Sequence, residues 1–99
     1  MLEILKSHTF DAWLRGLRDR QAKARIEMRI RRMSLENPGS RRSLKDGLHE
    51  MKIDHGPGYR VYYMYRNHAL VLLLCGGDKS TQDQDIRLAR RIAKEWEAS

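Results

Sequence analysis

Cysteine occurs once in this sequence, phenylalanine once and proline twice. The lone Cys75 excludes an internal disulfide framework, and a single thiol does not anchor a zinc site, so a reducing, cytoplasmic setting is the expectation. No apolar run approaches the roughly 20 residues of a membrane span. The N-terminal MLEILKSHTF has neither the long apolar core nor the cleavage site of a secretion signal. Four histidines, His8, His49, His55 and His68, form no HxxH or HxxxH pair, which leaves a metal without a ligand set. The segment CGGDKS has the glycines and lysine of a phosphate loop but not the GxxxxGK[ST] spacing. No GxSxG element and no Ser/His/Asp set stands out. The enzymatic option that survives these absences needs neither metal nor cofactor.

What is present is basic. The 99 residues carry 20 Lys and Arg against 13 Asp and Glu, with 40% hydrophobic and 33% charged residues. That composition fits one compact domain over residues 1–99 with a modest core. The excess charge sits in one segment: Leu14–Lys45 holds 11 basic and 3 acidic residues, whereas residues 46–99 balance at 8 of each. Such clustering suits a polyanion or an acidic protein as partner, and it also suits a merely solvated helix face.

MLEILKS alternates as a short strand. Thr9 is a suitable N-cap for a first helix whose Phe10, Trp13, Leu14 and Leu17 share a face. A second helix over about Ala22–Leu35 turns Ala22, Ile26, Ile30 and Met33 inward and repeats Arg18, Arg25, Arg29 and Arg32 as a stripe. ENPGSRRS, with Pro38 and Gly39, reads as a stop without periodicity. LHEMKID alternates with period two, Gly56-Pro57-Gly58 breaks it, and YRVYYMYR resumes with Arg60, Tyr62 and Met64 on one face. LVLLLC is apolar on both faces, as a central strand is. A last helix opens at Ser80 or Thr81 and lines up Ile86, Ala89, Ile92, Ala93 and Trp96. The expected class is α+β, in the order β-α-α-β-β-β-α, with all three helices covering one face of a small, mostly antiparallel sheet.

Cleavage of RNA by its own 2′-hydroxyl is chemistry that needs no metal. It requires a base, an acid and cations for a doubly charged transition state. Arg60 lies mid-sheet, where a charge is costly unless it opens onto a groove or pairs with Glu50 across the ladder. Lys52 and Lys79 are placed to converge on the same patch, with Gly76-Gly77 turning the chain to bring Asp78 and Lys79 to its rim. His55, in the turn between strands, is either a proton carrier or an ordinary turn residue. Tyr62, Tyr63 and Tyr65 are either core residues or platforms for bases.

The stretch GLHEMKIDHGPGYRVYYMYRNHALVLLLCGGDKSTQDQDIRLARRIA resembles the addiction-module killer (HigB-like) branch of the RelE/ParE toxin superfamily. The resemblance rests on a G-x-x-E-[RK] strand at Gly47–Lys52, on GPGYRVY, and on GGDK-x-x-Q-x-x-DI at Gly76–Ile86, and it extends over FDAWLRGLRDRQAKARI upstream. It implies a RelE-like fold and the toxin of a type II toxin–antitoxin pair. It further implies a cytoplasmic mRNA endoribonuclease, acting on the ribosome, restrained by a cognate antitoxin, and reaching operator DNA only through that complex. By position Arg60 holds the scissile phosphate, Lys52 stands where many relatives have arginine, and Lys79 and Asp78 match the GGDK element, with His55 as acid or base. Arg25, Arg29, Arg32, Arg41, Arg42 and Tyr62 are the expected contacts to RNA or ribosome. AKEWEAS ends without the tyrosine or histidine that several ribosome-dependent relatives use. One branch of the superfamily inhibits DNA gyrase without cutting RNA, and a non-toxic binding module is the third alternative.

Overall fold

A computed structural model describes residues 1–37 and 39–98; Pro38, expected in the turn after the second helix, lies outside them. The chain runs β1 (Glu3–Lys6), α1 (His8–Gly16), α2 (Arg20–Ser34), β2 (Arg41–Ser43), β3 (Leu48–Ile53), β4 (Tyr59–Asn67), β5 (Leu70–Gly77) and α3 (Gln82–Ala98). The five strands form one sheet in the order β1-β5-β4-β3-β2. Only β1–β5 is parallel; the other pairs are antiparallel, as expected for an α+β domain.

β5 occupies the second place in the sheet and is buried on both faces, which is why LVLLLC carries no polar residue. Its odd positions, Val71 and Leu73, join Val61 and Tyr63 of β4 under Phe10, Leu14, Ile26, Ile30 and Met33. The even positions, Leu72 and Leu74, join Leu48 and Tyr62 under Ala89 and Ile92. Thus α1 and α2 cover one face and α3 the other. The expectation that all three helices share one face is corrected by the strands themselves: an apolar residue at every position of β5 needs cover on both sides. A bulge keeps this pattern in phase. Tyr62 pairs with Cys75 and Tyr63 with Leu73, so Leu74 is the extra residue and Cys75 stays on the α3 face.

Three local readings are also corrected. The N-cap of α1 is Ser7, not Thr9: its Oγ accepts from the Phe10 amide at 2.9 Å and donates to the Leu74 carbonyl at 2.5 Å. The cap thereby ties α1 to β5, a tertiary contact that local sequence does not announce. Residues 41–43 form the edge strand β2, although three exposed residues show no alternation; pairing to β3 creates this strand. Gly76 and Gly77 do not make a turn, because both lie within β5. They are glycines for room. A Cβ on Gly76 would sit 2.3 Å from the Trp13 ring on one face, and a Cβ on Gly77 would sit 1.8 Å from Asp85 Oδ2 on the other. Gly56 and Gly58, by contrast, do adopt positive φ (57° and 81°) between β3 and β4.

Candidate functional site

The site forms at the β2–β3–β4 end of the sheet, on the face that also carries α3. Glu50, in the middle of β3, points to this face because it pairs with Tyr62, while Lys52 pairs with Arg60 two residues on. Glu50 is 4% exposed and Arg60 8%. A buried carboxylate is tolerable only with partners, and Glu50 has three. Oε1 receives Arg60 Nε at 2.7 Å and the Gln82 amide at 2.8 Å; Oε2 receives Arg42 Nη2 at 2.6 Å. Arg60 Nη1 donates in turn to the Gly58 carbonyl at 2.9 Å. Each of the three motif stretches therefore sends a polar side chain to one point: Glu50 from the β3 motif, Arg60 from GPGYRVY and Gln82 from the GGDK element.

Beside this hub opens a pocket of about 280 Å³ lined by Ser40, Arg41, Arg42, Glu50, Lys52, Arg60 and Gln82. Arg41 turns its guanidinium to the Tyr65 hydroxyl at 3.0 Å, in the cluster on the α2 side. Arg42, Lys52 and Arg60 remain as three cations lining the pocket with one carboxylate, so the lining has a net positive charge. Lys52 is half exposed, with Asp54 at 3.7 Å. Lys79 is exposed and outside this pocket's lining, with its Cβ near Gly58. A Cβ built on Gly58 would lie 3.5 Å from Arg60 Nη1 and 4.0 Å from Lys79 Cβ. A pocket lined by one enclosed arginine, a lysine and an edge arginine suits a phosphodiester.

Asp78 does a different job. Its carboxylate accepts from the Ser80 amide (2.8 Å) and the Ser80 hydroxyl, capping the turn Lys79–Thr81 that leads into α3. The Ser80 hydrogen bonds hold its pKa below the ordinary carboxylate value. Asp78 therefore fixes the backbone that carries Lys79. Asp85, packed over Gly77 and bonded by the Thr81 hydroxyl at 2.6 Å, has its pKa raised by burial.

Other expected residues are placed elsewhere. His55 is not among the pocket-lining residues: its Nε2 meets Asp19 Oδ2 at 3.0 Å, where Asp19 is the N-cap of α2. Tyr62 is fully buried in the α3-side core. It presents no face to a base, so its reading as an RNA contact is corrected to that of a core residue. Arg29 is half-buried and donates to the Lys52 and Ser40 carbonyls, both at 2.8 Å, bracing α2 against β3. The arginine stripe is thus split, since Arg25 and Arg32 are exposed whereas Arg29 is a strut. Glu50 and Gln82 were not anticipated as site residues. The signal was available in Glu50, an acidic residue on a strand position whose neighbours at period two are apolar or basic.

Among the described residues no group of three or more His, Cys, Asp or Glu side chains is placed to hold a metal, and no helix is long and apolar enough to cross a membrane.

Fold and pocket together define a class: a RelE-like α+β domain with a cationic site anchored on a buried carboxylate. The chain matches the model of the phage-derived Gp49-like proteins (DUF891) over residues 12–95. It is also 50% identical over 94 residues, 95% of each chain, to an uncharacterized protein of Haemophilus influenzae (strain ATCC 51907 / DSM 11121 / KW20 / Rd). The chain belongs to the Gp49-like family, a family of RelE-like toxins of toxin–antitoxin systems, and membership implies an antitoxin as partner.

Proposed function

We propose that this chain is the toxin of a type II module, of the HigB-like branch, and that it cleaves messenger RNA on the ribosome without a metal. The observation that carries the reading is Arg60: a nearly buried guanidinium held on Glu50 at 2.7 Å, at the wall of a pocket that also presents Lys52 and Arg42. A domain that only docked on a protein would have no need of a charge buried at such desolvation cost. In the reaction the 2′-oxygen of the message bonds to the adjacent phosphorus as its proton passes to a solvent water. The P–O5′ bond breaks and the 5′-oxygen takes up a proton from solvent water, leaving a 2′,3′-cyclic phosphate and a 5′-hydroxyl. Arg60 binds a non-bridging oxygen, while Lys79 and Lys52 offset the charge that grows in the transition state. Asp78 positions Lys79 through its cap. His55, clasped to Asp19, secures the β3–β4 turn to α2 rather than moving the proton.

The exposed Arg25 and Arg32, with Arg41 and Arg42 on the edge strand, meet ribosomal RNA or an acidic antitoxin segment. Operator DNA is reached through the toxin–antitoxin complex, and the setting is the cytoplasm. Induction of the protein in growing cells tests this reading: growth should stop and messages should shorten while supercoiled plasmid persists. Arrest with intact messages and relaxed plasmid would assign the protein to the gyrase-inhibiting branch.

A further inference from the structure

The hub ties the Arg60 guanidinium at two of its three nitrogens. Nε is bound by Glu50 and Nη1 by the Gly58 carbonyl. Glu50 in turn divides its oxygens between two arginines of opposite character. Oε1 holds Arg60, whose side chain is 10% exposed, and Oε2 holds Arg42, whose side chain is 61% exposed. The first pair is enclosed, whereas the second stands at the edge strand with its arginine open to water. Gln82, at the first position of α3, closes the arrangement by donating to Oε1 at 2.8 Å.

We propose that Glu50 is the positioning residue of this site: it fixes the Arg60 guanidinium so that its remaining N–H groups are offered to a phosphate oxygen in one orientation, and it parks Arg42 until a phosphate draws it away. The inference deepens the ribonuclease reading and rests on it for its substrate. Its physical basis is that a guanidinium tied at two of three nitrogens has lost its rotation before the substrate arrives, so a transition-state oxygen meets an oriented donor. Lysine at position 60 would not reproduce this, because an ammonium has no separate Nε edge for Glu50 to hold. Arg42 supplies charge where the site opens, and as a mobile cation it contributes to capture of the phosphate more than to the geometry of the reaction.

Two readouts test the proposal on the purified full chain. The first is the Arg60 Nε–H signal in nitrogen-15 NMR, assigned by its loss in Arg60→Lys. In the wild type it should be resolved and exchange slowly with water; in Glu50→Gln it should shift and exchange quickly. The second is turnover on a defined message in programmed ribosomes, measured well below the melting temperature of each variant. Glu50→Gln should lower kcat by about 10²-fold, the cost of a misplaced catalytic group. Binding of the same message with a 2′-deoxy scissile nucleotide should be unchanged or tighter, because every cation remains. Glu50→Asp, which keeps the charge on a shorter arm, should lie between the two and serves where Glu50→Gln does not fold. A folded Glu50→Gln protein with an unchanged Nε–H signal, or with full kcat, overturns the proposal. If the wild type cuts no RNA the ribonuclease reading fails, and the NMR comparison still decides whether Glu50 orients Arg60.

Discussion

Replacing Arg60 by methionine removes the guanidinium while keeping an unbranched chain of similar length. The substitution breaks the 2.7 Å bond to Glu50 and the 2.9 Å bond to the Gly58 carbonyl, and leaves a 5% exposed carboxylate without its enclosed partner. Stranding one member of a buried ion pair costs about 3–5 kcal/mol. Glu50 still keeps Arg42 and Gln82, so the lower end, about 3 kcal/mol, is expected. A domain of this size is stable by about 5–15 kcal/mol, so the variant remains folded at room temperature. Its melting temperature should fall by roughly 12–24 °C, at the 4–8 °C per kcal/mol of a small domain. Circular dichroism and calorimetry read the shift directly. The double variant Glu50→Leu/Arg60→Met should melt above Arg60→Met alone, because no buried carboxylate is stranded in it. A melt of Arg60→Met within about 4 °C of wild type, near 1 kcal/mol, would refute the view that this pair is a desolvated hub. Loss of growth arrest in an Arg60 variant therefore counts as chemistry only when measured below its melt.

The remaining predictions concern other residues. Lys79→Ala should lower turnover by up to about 10²-fold with an unchanged melt, because Lys79 is exposed; a parallel loss of stability would assign it to the fold instead. Gly77→Ala should cost about 1–3 kcal/mol as its Cβ meets Asp85, whereas Gly16→Ala, with nothing within 4 Å, should be neutral or stabilising in urea titrations. Burial, then Arg41, holds the His49 pKa below its ordinary 6.5, so the folded state favours the neutral ring. That contribution is fully present above about pH 6.5 and is lost as pH falls through this value toward the folded pKa. His49→Gln should flatten the pH dependence of the melt between about pH 5 and 7, and an unaltered profile would show that another group sets it.

Much of this architecture was legible in the sequence. Period two in LHEMKID and YRVYYMYR, the unbroken apolar run of β5 and the helical spacing of Phe10, Leu14, Ile26 and Ile30 all correspond to observed elements. What escaped was set by tertiary context. β2 exists through its ladder with β3, and the Ser7 cap is completed by a β5 carbonyl. Gly76 and Gly77 looked like turn residues because glycine serves both conformational freedom and close approach, and only the positions of Trp13 and Asp85 distinguish the two. The sharing of helices between two faces followed from β5 being apolar on both, a consequence available without coordinates. For the site, Lys52 and Arg60 line one pocket, whereas Lys79 lines a separate depression at the start of α3. The pairing of Arg60 with Glu50 was one of two open alternatives, and the structure has both that pair and the pocket beside it. A stripe of arginines looks uniform on a helical wheel, yet Arg29 bonds backbone carbonyls that the wheel does not contain.

The claim that this protein is a metal-independent ribonuclease is tested most directly by mapping RNA ends. A defined message on programmed ribosomes, incubated with purified protein in the presence of a chelator at a concentration that spares the ribosome, should be cut to give a 5′-hydroxyl and a 2′,3′-cyclic or 3′-phosphate. Wild type should give those ends, and Lys79→Ala should lose cutting at unchanged stability. An intact message under conditions where the same preparation arrests growth, or fragments bearing a 5′-phosphate and a 3′-hydroxyl, would contradict it.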